Sequence, residues 1–338
     1  MSKKDLLKET IEHIDIKGFD ARPIIDSMAK MSFASRDTAR AAGIIRDMVG
    51  DADCSVILTL AGSTSAGGCM QVYVDMVRCG MVDAVVATGA SVVDMDFLEA
   101  LGFRHYRGSQ FTDDAMLREN YVDRIYDTYI DEEELQVVDG TVRAIADSLP
   151  PGIYSSRAFI REMGRYLTTN AKKSESLVQA CFEMDVPIFC PAFSDSSAGF
   201  GLVMHQEGKE AYVSIDSVRD FRELTEIKIR AEKTGLIMIG GGVPKNFAQD
   251  TVVCAEILGR EVPMHAYAVQ ITVADVRDGA CSSSTLKEAS SWGKVDTVAE
   301  QMVYAEATTV LPLMISSVYH SGVWKDREPR RFARIFDA

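Results

Sequence analysis

Six short apolar runs divide this chain, and most of them empty into small, polar or glycine-rich residues. Ser55–Ala61 leads into Gly62-Ser63-Thr64-Ser65-Ala66-Gly67-Gly68, with the helix-like stretch Met70–Arg78 behind it. Asp83–Thr88 ends in Gly89-Ala90-Ser91, Val186–Phe189 leads to Ser194–Gly199, and Leu236–Ile239 ends in Gly240-Gly241-Gly242. Ala266–Thr272 opens a long polar loop, and Val303–Ala307 reads as a last strand before a final helix. Continuous apolar strands that alternate with helices predict a parallel sheet covered on both faces. The fold class is therefore α/β. Ligands of such sheets sit beyond the carboxyl ends of the strands, so these loops are expected to share one site.

Before the first strand, Leu6, Leu7, Ile11 and Ile14, and then Ile24, Ile25, Met28 and Met31 after Pro23, recur at helical spacing. The spacing predicts a helical N-terminal extension over residues 1–50, an α/β domain over 51–325 with a helical insertion near 112–180, and a basic tail over 326–338. Lys325, Arg327, Arg330, Arg331 and Arg334 make that end basic, as a solvated tail or a subunit contact. No linker, low-complexity tract or repeat interrupts the chain.

Composition narrows the function classes. The net charge of −14 disfavours a nucleic-acid surface and suits cationic small molecules or a basic partner. No apolar run is long enough to cross a bilayer, and the charged start Met1–Lys8 lacks the apolar core of a signal peptide. The expected place is the cytoplasm, with no membrane partner. Seven scattered cysteines without a Cys-x-x-Cys pair argue against a disulfide framework and a structural zinc site. They read as small core residues, and no metal is expected.

The Gly62–Gly68 loop has the makings of a phosphate cradle ahead of a helix N-terminus, although a tight structural turn explains it equally well. Three consecutive glycines at 240–242 favour close approach of a ligand, and the two loops together favour a dinucleotide. Asp94 and Asp96, Asp195, and Asp275 and Asp278 lie at strand ends, where carboxylates can hold ribose hydroxyls or ammonium groups, or simply cap helices. In Glu288-Ala289-Ser290-Ser291-Trp292-Gly293-Lys294, a tryptophan face can carry an amine cation, and a lysine kept neutral is an imine-forming nucleophile. Taken without context, Lys294 reads first as a surface lysine, since lysines are rarely fully buried.

Five segments together resemble the deoxyhypusine synthase family. They are Leu117-Arg118-Glu119-Asn120 with Arg124-Ile125, Val186–Ala192 with Asp195, Gly240-Gly241-Gly242-Val243-Pro244-Lys245, Glu288–Lys294, and Val303-Tyr304-Ala305-Glu306-Ala307. The resemblance runs from about Asp15 to His320. It implies a Rossmann-like NAD-binding fold, a homotetramer, and active sites shared between paired subunits. It also implies an aminobutyl transfer in which NAD takes a hydride from spermidine, the four-carbon amine rests as an imine on Lys294, and a lysine of a translation factor receives it. In related homospermidine-forming enzymes the acceptor is a small amine.

By position, the resemblance places Gly62, Ser63, Thr64, Ser65, Ala66, Thr88, Gly89, Ala90, Asp94, Asp195, Gly241, Glu306 and Ala307 along NAD. Asn246, Gly279, Cys281, Glu288, Trp292 and Lys294 would line the amine, with Lys294 as the catalytic residue. Three positions depart from the family pattern. Phe200 and Cys281 stand where aspartates are usual, and Asn246 stands where histidine is usual. A different amine, or a catalytically silent NAD-binding relative, are the competing expectations.

Overall fold

The computed structural model describes residues 2–173, 175–277 and 284–336. Its centre is a parallel sheet of six strands: β1 Cys54–Leu60, β2 Ala84–Ala87, β3 Ile188–Phe189, β4 Lys233–Ile239, β5 Tyr267–Thr272 and β6 Glu300–Tyr304. All pair in parallel, in the spatial order β6-β5-β4-β1-β2-β3. The chain builds outward from β1 to β3, returns, and builds outward the other way from β4. The order reverses between β1 and β4, and there a crevice must open at the carboxyl ends.

Side-chain alternation explains why these strands are apolar throughout. Every residue of β1 is buried; Val56, Leu58 and Leu60 enter one core and Ile57 the other. The first core holds α1 Phe33–Gly50, α2 Met70–Arg78, α3 Glu132–Asp147, α4 Ser156–Asn170, α5 Leu177–Glu183 and α6 Ser197–Gln206. Against the second pack α7 Ser217–Arg230, α8 Gly242–Gln249 and, after α9 Thr251–Ile257, α10 Leu286–Ser291. The last helix, α11 Ala307–Ser321, returns to the first face beside α1. Helices therefore cover both faces, as the strand pattern predicts. Cys54, Cys69, Cys181 and Cys190 are buried, and burial pushes the thiols of Cys54 and Cys69 up to about 12.

Four expectations need correction. The segment Glu9–Ile14 is extended rather than helical: Ile11 N–H donates to the His105 carbonyl at 2.9 Å, and Arg107 N–H to the Glu9 carbonyl at 2.7 Å. The pull comes from Glu99, buried beneath it, which accepts from His13 (2.8 Å), His105 (2.7 Å) and Lys173 (2.5 Å). Burial alone would raise this carboxyl, but the bonds from His105 and His13 outweigh it and hold the group well below the usual range.

The region near 112–180 is not purely helical. His105–Arg107, Val122–Ile125 and Thr128–Asp131 form a small antiparallel sheet. Its two-residue turn at Tyr126-Asp127, with Tyr126 at φ 54°, lacks the Asn-Gly signature that announces such hairpins.

The basic tail is not a solvated arm. Arg327 folds under β1 and β2, donating to the Cys54 carbonyl at 2.6 Å and to the buried Asp83 carboxylate. Finally, the last strand ends at Tyr304 and α11 begins at Ala307, so Glu306 caps a helix instead of extending a strand.

Candidate functional site

The two glycine loops meet at the sheet's point of reversal. Ladder bonds continue past the strand ends, from Ala61 N–H to the Ile239 carbonyl (3.0 Å), Thr88 to Leu60 (3.0 Å) and Gly240 to Ile271 (2.8 Å). Gly240 has φ +75°, and a Cβ there would lie 3.1 Å from that of Ala61, so a side chain at 240 would push the loops apart. Gly62 (φ +83°) and Gly242 (φ +60°) face open space on the side where a Cβ would stand. That is the backbone a pyrophosphate can approach.

Hydroxyls brace the first loop. Ser91 Oγ donates to the Gly62 carbonyl at 2.6 Å, Ser65 Oγ donates to the Ser91 carbonyl at 3.3 Å, and Thr64 Oγ1 bonds Tyr73 OH at 2.6 Å. Thr88 Oγ1 bonds Ser91 Oγ at 3.3 Å, which ties the end of β2 into the same frame. Gly89 packs so tightly on Ser196 that a Cβ would fall 2.4 Å from the serine's own, which joins the Gly89–Ala90 and Asp195 loops, while Ser91 ties in the Ser63–Ala66 loop. The chain places Ser63 and Ala66 in this loop, and Ala66 is buried in the core beneath it.

The acids then separate into two groups. Asp94 accepts from Ser197 N–H at 2.7 Å; burial raises its carboxyl to about 6 against that bond, with Asp139 and Asp195 adding to the rise. Asp195 is exposed beside it. Glu306 accepts from Thr308 N–H (3.0 Å) and Thr309 N–H (3.1 Å), and against partial desolvation of the carboxyl these bonds hold it below the usual range. Its charge is felt at Cys69 and Tyr73 behind the first loop, so Glu306 and Ala307 border the same region. Asp96 belongs elsewhere. It is buried and accepts from Leu177 N–H (2.7 Å), Val178 N–H (2.9 Å) and Ser176 Oγ (2.7 Å), fixing the start of α5.

The amine-side residues form a second cluster. Thr285 and Glu288 close α10 with reciprocal bonds of 2.5 and 3.2 Å, so the Glu288 carboxylate is exposed and engaged with its own helix. Trp292 ends that helix and Gly293, at φ +70°, turns the chain. The Lys294 carbonyl then accepts from His265 N–H at 3.0 Å, ahead of β5. From there the Lys294 side chain reaches Asp250, Nζ to Oδ1 2.5 Å, with its nitrogen 5.2 Å from the Trp292 ring centroid. Phe221, Val253, Cys254 and Ile257 complete a cavity of about 340 Å³ around them.

Lys245 is buried, donates to the Ser284 carbonyl, and is pushed down to about 8 by burial, with Glu288 opposing and Lys294 adding. Asn246 lies one turn before Asp250 on the same helical run. Phe200 is exposed on α6. Gly279, Cys281 and Asp278 lie outside the described residues.

Asp250 is absent from the sequence-based expectations; its i+4 spacing from Asn246 was the available signal. Its position also separates the two clusters. Asp250 lies eight residues beyond Gly242, about 12 Å down the helix at 1.5 Å per residue. The Lys294 ammonium therefore meets α8 at the end opposite the glycine crevice of its own chain.

The deoxyhypusine synthase family model matches residues 23–318. The chain belongs to the deoxyhypusine synthase family. Deoxyhypusine synthase-like proteins of Coxiella burnetii and Caulobacter vibrioides are 68% and 66% identical to it, each over 99% of this chain and over 96% and 92% of their own lengths. A solved structure of a deoxyhypusine synthase candidate from Entamoeba histolytica shares the fold at a TM-score of 0.60 and 20% identity, covering 92% of this chain and 97% of that one. Among the described residues no helix is long and apolar enough to cross a membrane, and no cluster of three metal-ligating side chains occurs.

Proposed function

We propose that this family member is an NAD-dependent transferase that moves an aminobutyl or related aminoalkyl group between amines through an imine on Lys294. Family membership supports a transferase, and one observation carries the mechanism: Lys294 beside the Trp292 face in a cavity with apolar walls. Open backbone at Gly62 and Gly242, with Asp94 and Asp195 at the neighbouring strand ends, fits the pyrophosphate and ribose hydroxyls of a dinucleotide. NAD, when bound, supplies reversible hydride acceptance from the carbon beside a substrate nitrogen.

The chain's own residues do the rest. Gly62–Ala66, Thr88–Ala90, Gly241, Glu306 and Ala307 seat the cofactor, and the Trp292 face steadies a cationic amine. Lys294 contributes the nitrogen that carries the fragment between donor and acceptor. Because Lys294 meets α8 at the end opposite its own glycine crevice, the working site is completed by a second copy of the chain, in a homotetramer as the resemblance implies. A polyamine is the donor, and the acceptor is a protein lysine or a small amine. Phe200 and Asn246 offer no negative charge, which favours an amine of lower charge than spermidine or a small-amine acceptor.

Borohydride trapping with NAD and a panel of amines, followed by peptide mapping, tests the reading. The expected label is on Lys294, and a label on any other lysine overturns it. Mass spectrometry of the released amines identifies donor and acceptor.

A further inference from the structure

The transfer chemistry needs a Lys294 nitrogen with a free lone pair, yet the structure ties that nitrogen to a carboxylate at 2.5 Å. We propose that Asp250 gates Lys294: it holds the lysine as an ammonium until the charged end of an amine substrate takes the carboxylate, and Lys294 then loses its proton to solvent and becomes the nucleophile. This rests on the transferase reading above and adds how the nucleophile is released.

Three observations carry it. Within one chain the pair is asymmetric in access, since the Lys294 side chain is 14% exposed and that of Asp250 38%, so the carboxylate is the partner that an incoming cation meets first. Among the described residues that line the cavity, Asp250 is the one acid; Phe221, Val253, Ile257 and Trp292 are apolar and cannot compensate a second positive charge. The Trp292 ring, 5.2 Å from the Lys294 nitrogen, offers a face for a cation close to the same carboxylate. With one ammonium, the lining is balanced, Lys294 against Asp250, and the neighbouring Lys245 and Glu288 add one charge of each sign. With two, the cavity carries a net positive charge in apolar surroundings, and like charge at close range favours the neutral form of the enclosed lysine. The competing account is a fixed ion pair that only stabilises the fold, and such a pair would not respond to an added amine.

The test is trace acetylation of the native oligomer with acetic anhydride at pH 8, Lys294 being read by peptide mass spectrometry against the other lysines. The probe is tetramethylputrescine, a tertiary diamine that keeps its charges and is not itself acetylated. In the unaltered protein the diamine should raise Lys294 labelling on the order of tenfold, the gain in neutral fraction for a tenfold change in the proton equilibrium. Asp250→Asn should label Lys294 to a similar high level without the diamine and show no further rise; Asp250→Glu should keep the diamine response. Equal labelling of Asp250→Asn and the unaltered protein overturns the gate, as does a diamine that leaves labelling unchanged or lowers it. Should Asp250→Asn fail to fold, the diamine response of the unaltered protein decides alone. Neither NAD nor turnover enters the assay. Failure of the gate thus appears as flat labelling in a protein that still traps the imine, and failure of the transferase reading as absent trapping with the labelling response intact.

Discussion

Arg327 and Asp83, 244 residues apart, meet beneath the amino ends of β1 and β2, each with a side chain only 2% exposed. Asp83 also accepts from Val56 N–H at 2.8 Å, so the pair pins the C-terminal segment to the first two strands. Burial raises the Asp83 carboxyl, and Arg327 opposes that rise. Removing the arginine leaves a buried charge without its partner. Arg327→Ala should cost about 3–5 kcal/mol by urea unfolding at pH 7.5. The loss should shrink as pH falls and Asp83 protonates. A loss that does not change as the pH is lowered would contradict this account.

Glu99→Gln tests the buried knot under the N-terminal segment. The folded carboxyl lies below its usual range, so its contribution is fully present at neutral pH and is lost as pH falls through the folded value. The substitution should speed amide exchange of Glu9–Ile14 and His105–Arg107 first, because their pairing sits on His13 and His105. Unchanged exchange in these two segments would show that the carboxylate does not hold them.

Asp94 behaves in the opposite sense. Its folded value of about 6 lies above the usual aspartate range, so ionisation is costlier in the folded chain and stability is lost as pH climbs from about 4 to about 6. Asp94→Asn should be more stable than the unaltered protein by up to about 2 kcal/mol at pH 7.5 and equal to it near pH 4. Calorimetric titration should show weaker NAD binding in the variant, since the ribose hydroxyls lose a carboxylate acceptor. Gains of stability and cofactor affinity together would remove Asp94 from the site.

Lys294→Arg keeps a charge but cannot become a neutral nucleophile, so turnover should fall by at least about a thousandfold while NAD binding persists. Activity at the unaltered level would end the role given to Lys294.

The distance between Lys294 and its own glycine crevice predicts complementation. Mixed oligomers of Lys294→Ala and Asp94→Ala, refolded together, should recover activity that neither variant has alone. No recovery in oligomers shown to be mixed would mean that each chain builds its site by itself.

The sequence by itself determined the six strands, both glycine loops and the segment bearing Lys294. These are written in the nearest neighbours along the chain: unbroken apolar runs mark strands buried on two faces, and glycines mark where they turn. Tertiary structure decided what distant side chains meet. Glu9–Ile14 carries helical spacing, yet His13 is drawn to Glu99, 86 positions on, and the segment extends. Asp96 resembles Asp94 in sequence but is buried against the start of α5, while Arg327 gives up solvent for Asp83. Asp250 and Lys294 lie in separate elements, joined only where Gly293 and the bond from His265 aim the lysine back at α8 and α9. Local periodicity is set by residues a few positions apart, whereas a buried charge must find its partner wherever the fold brings one.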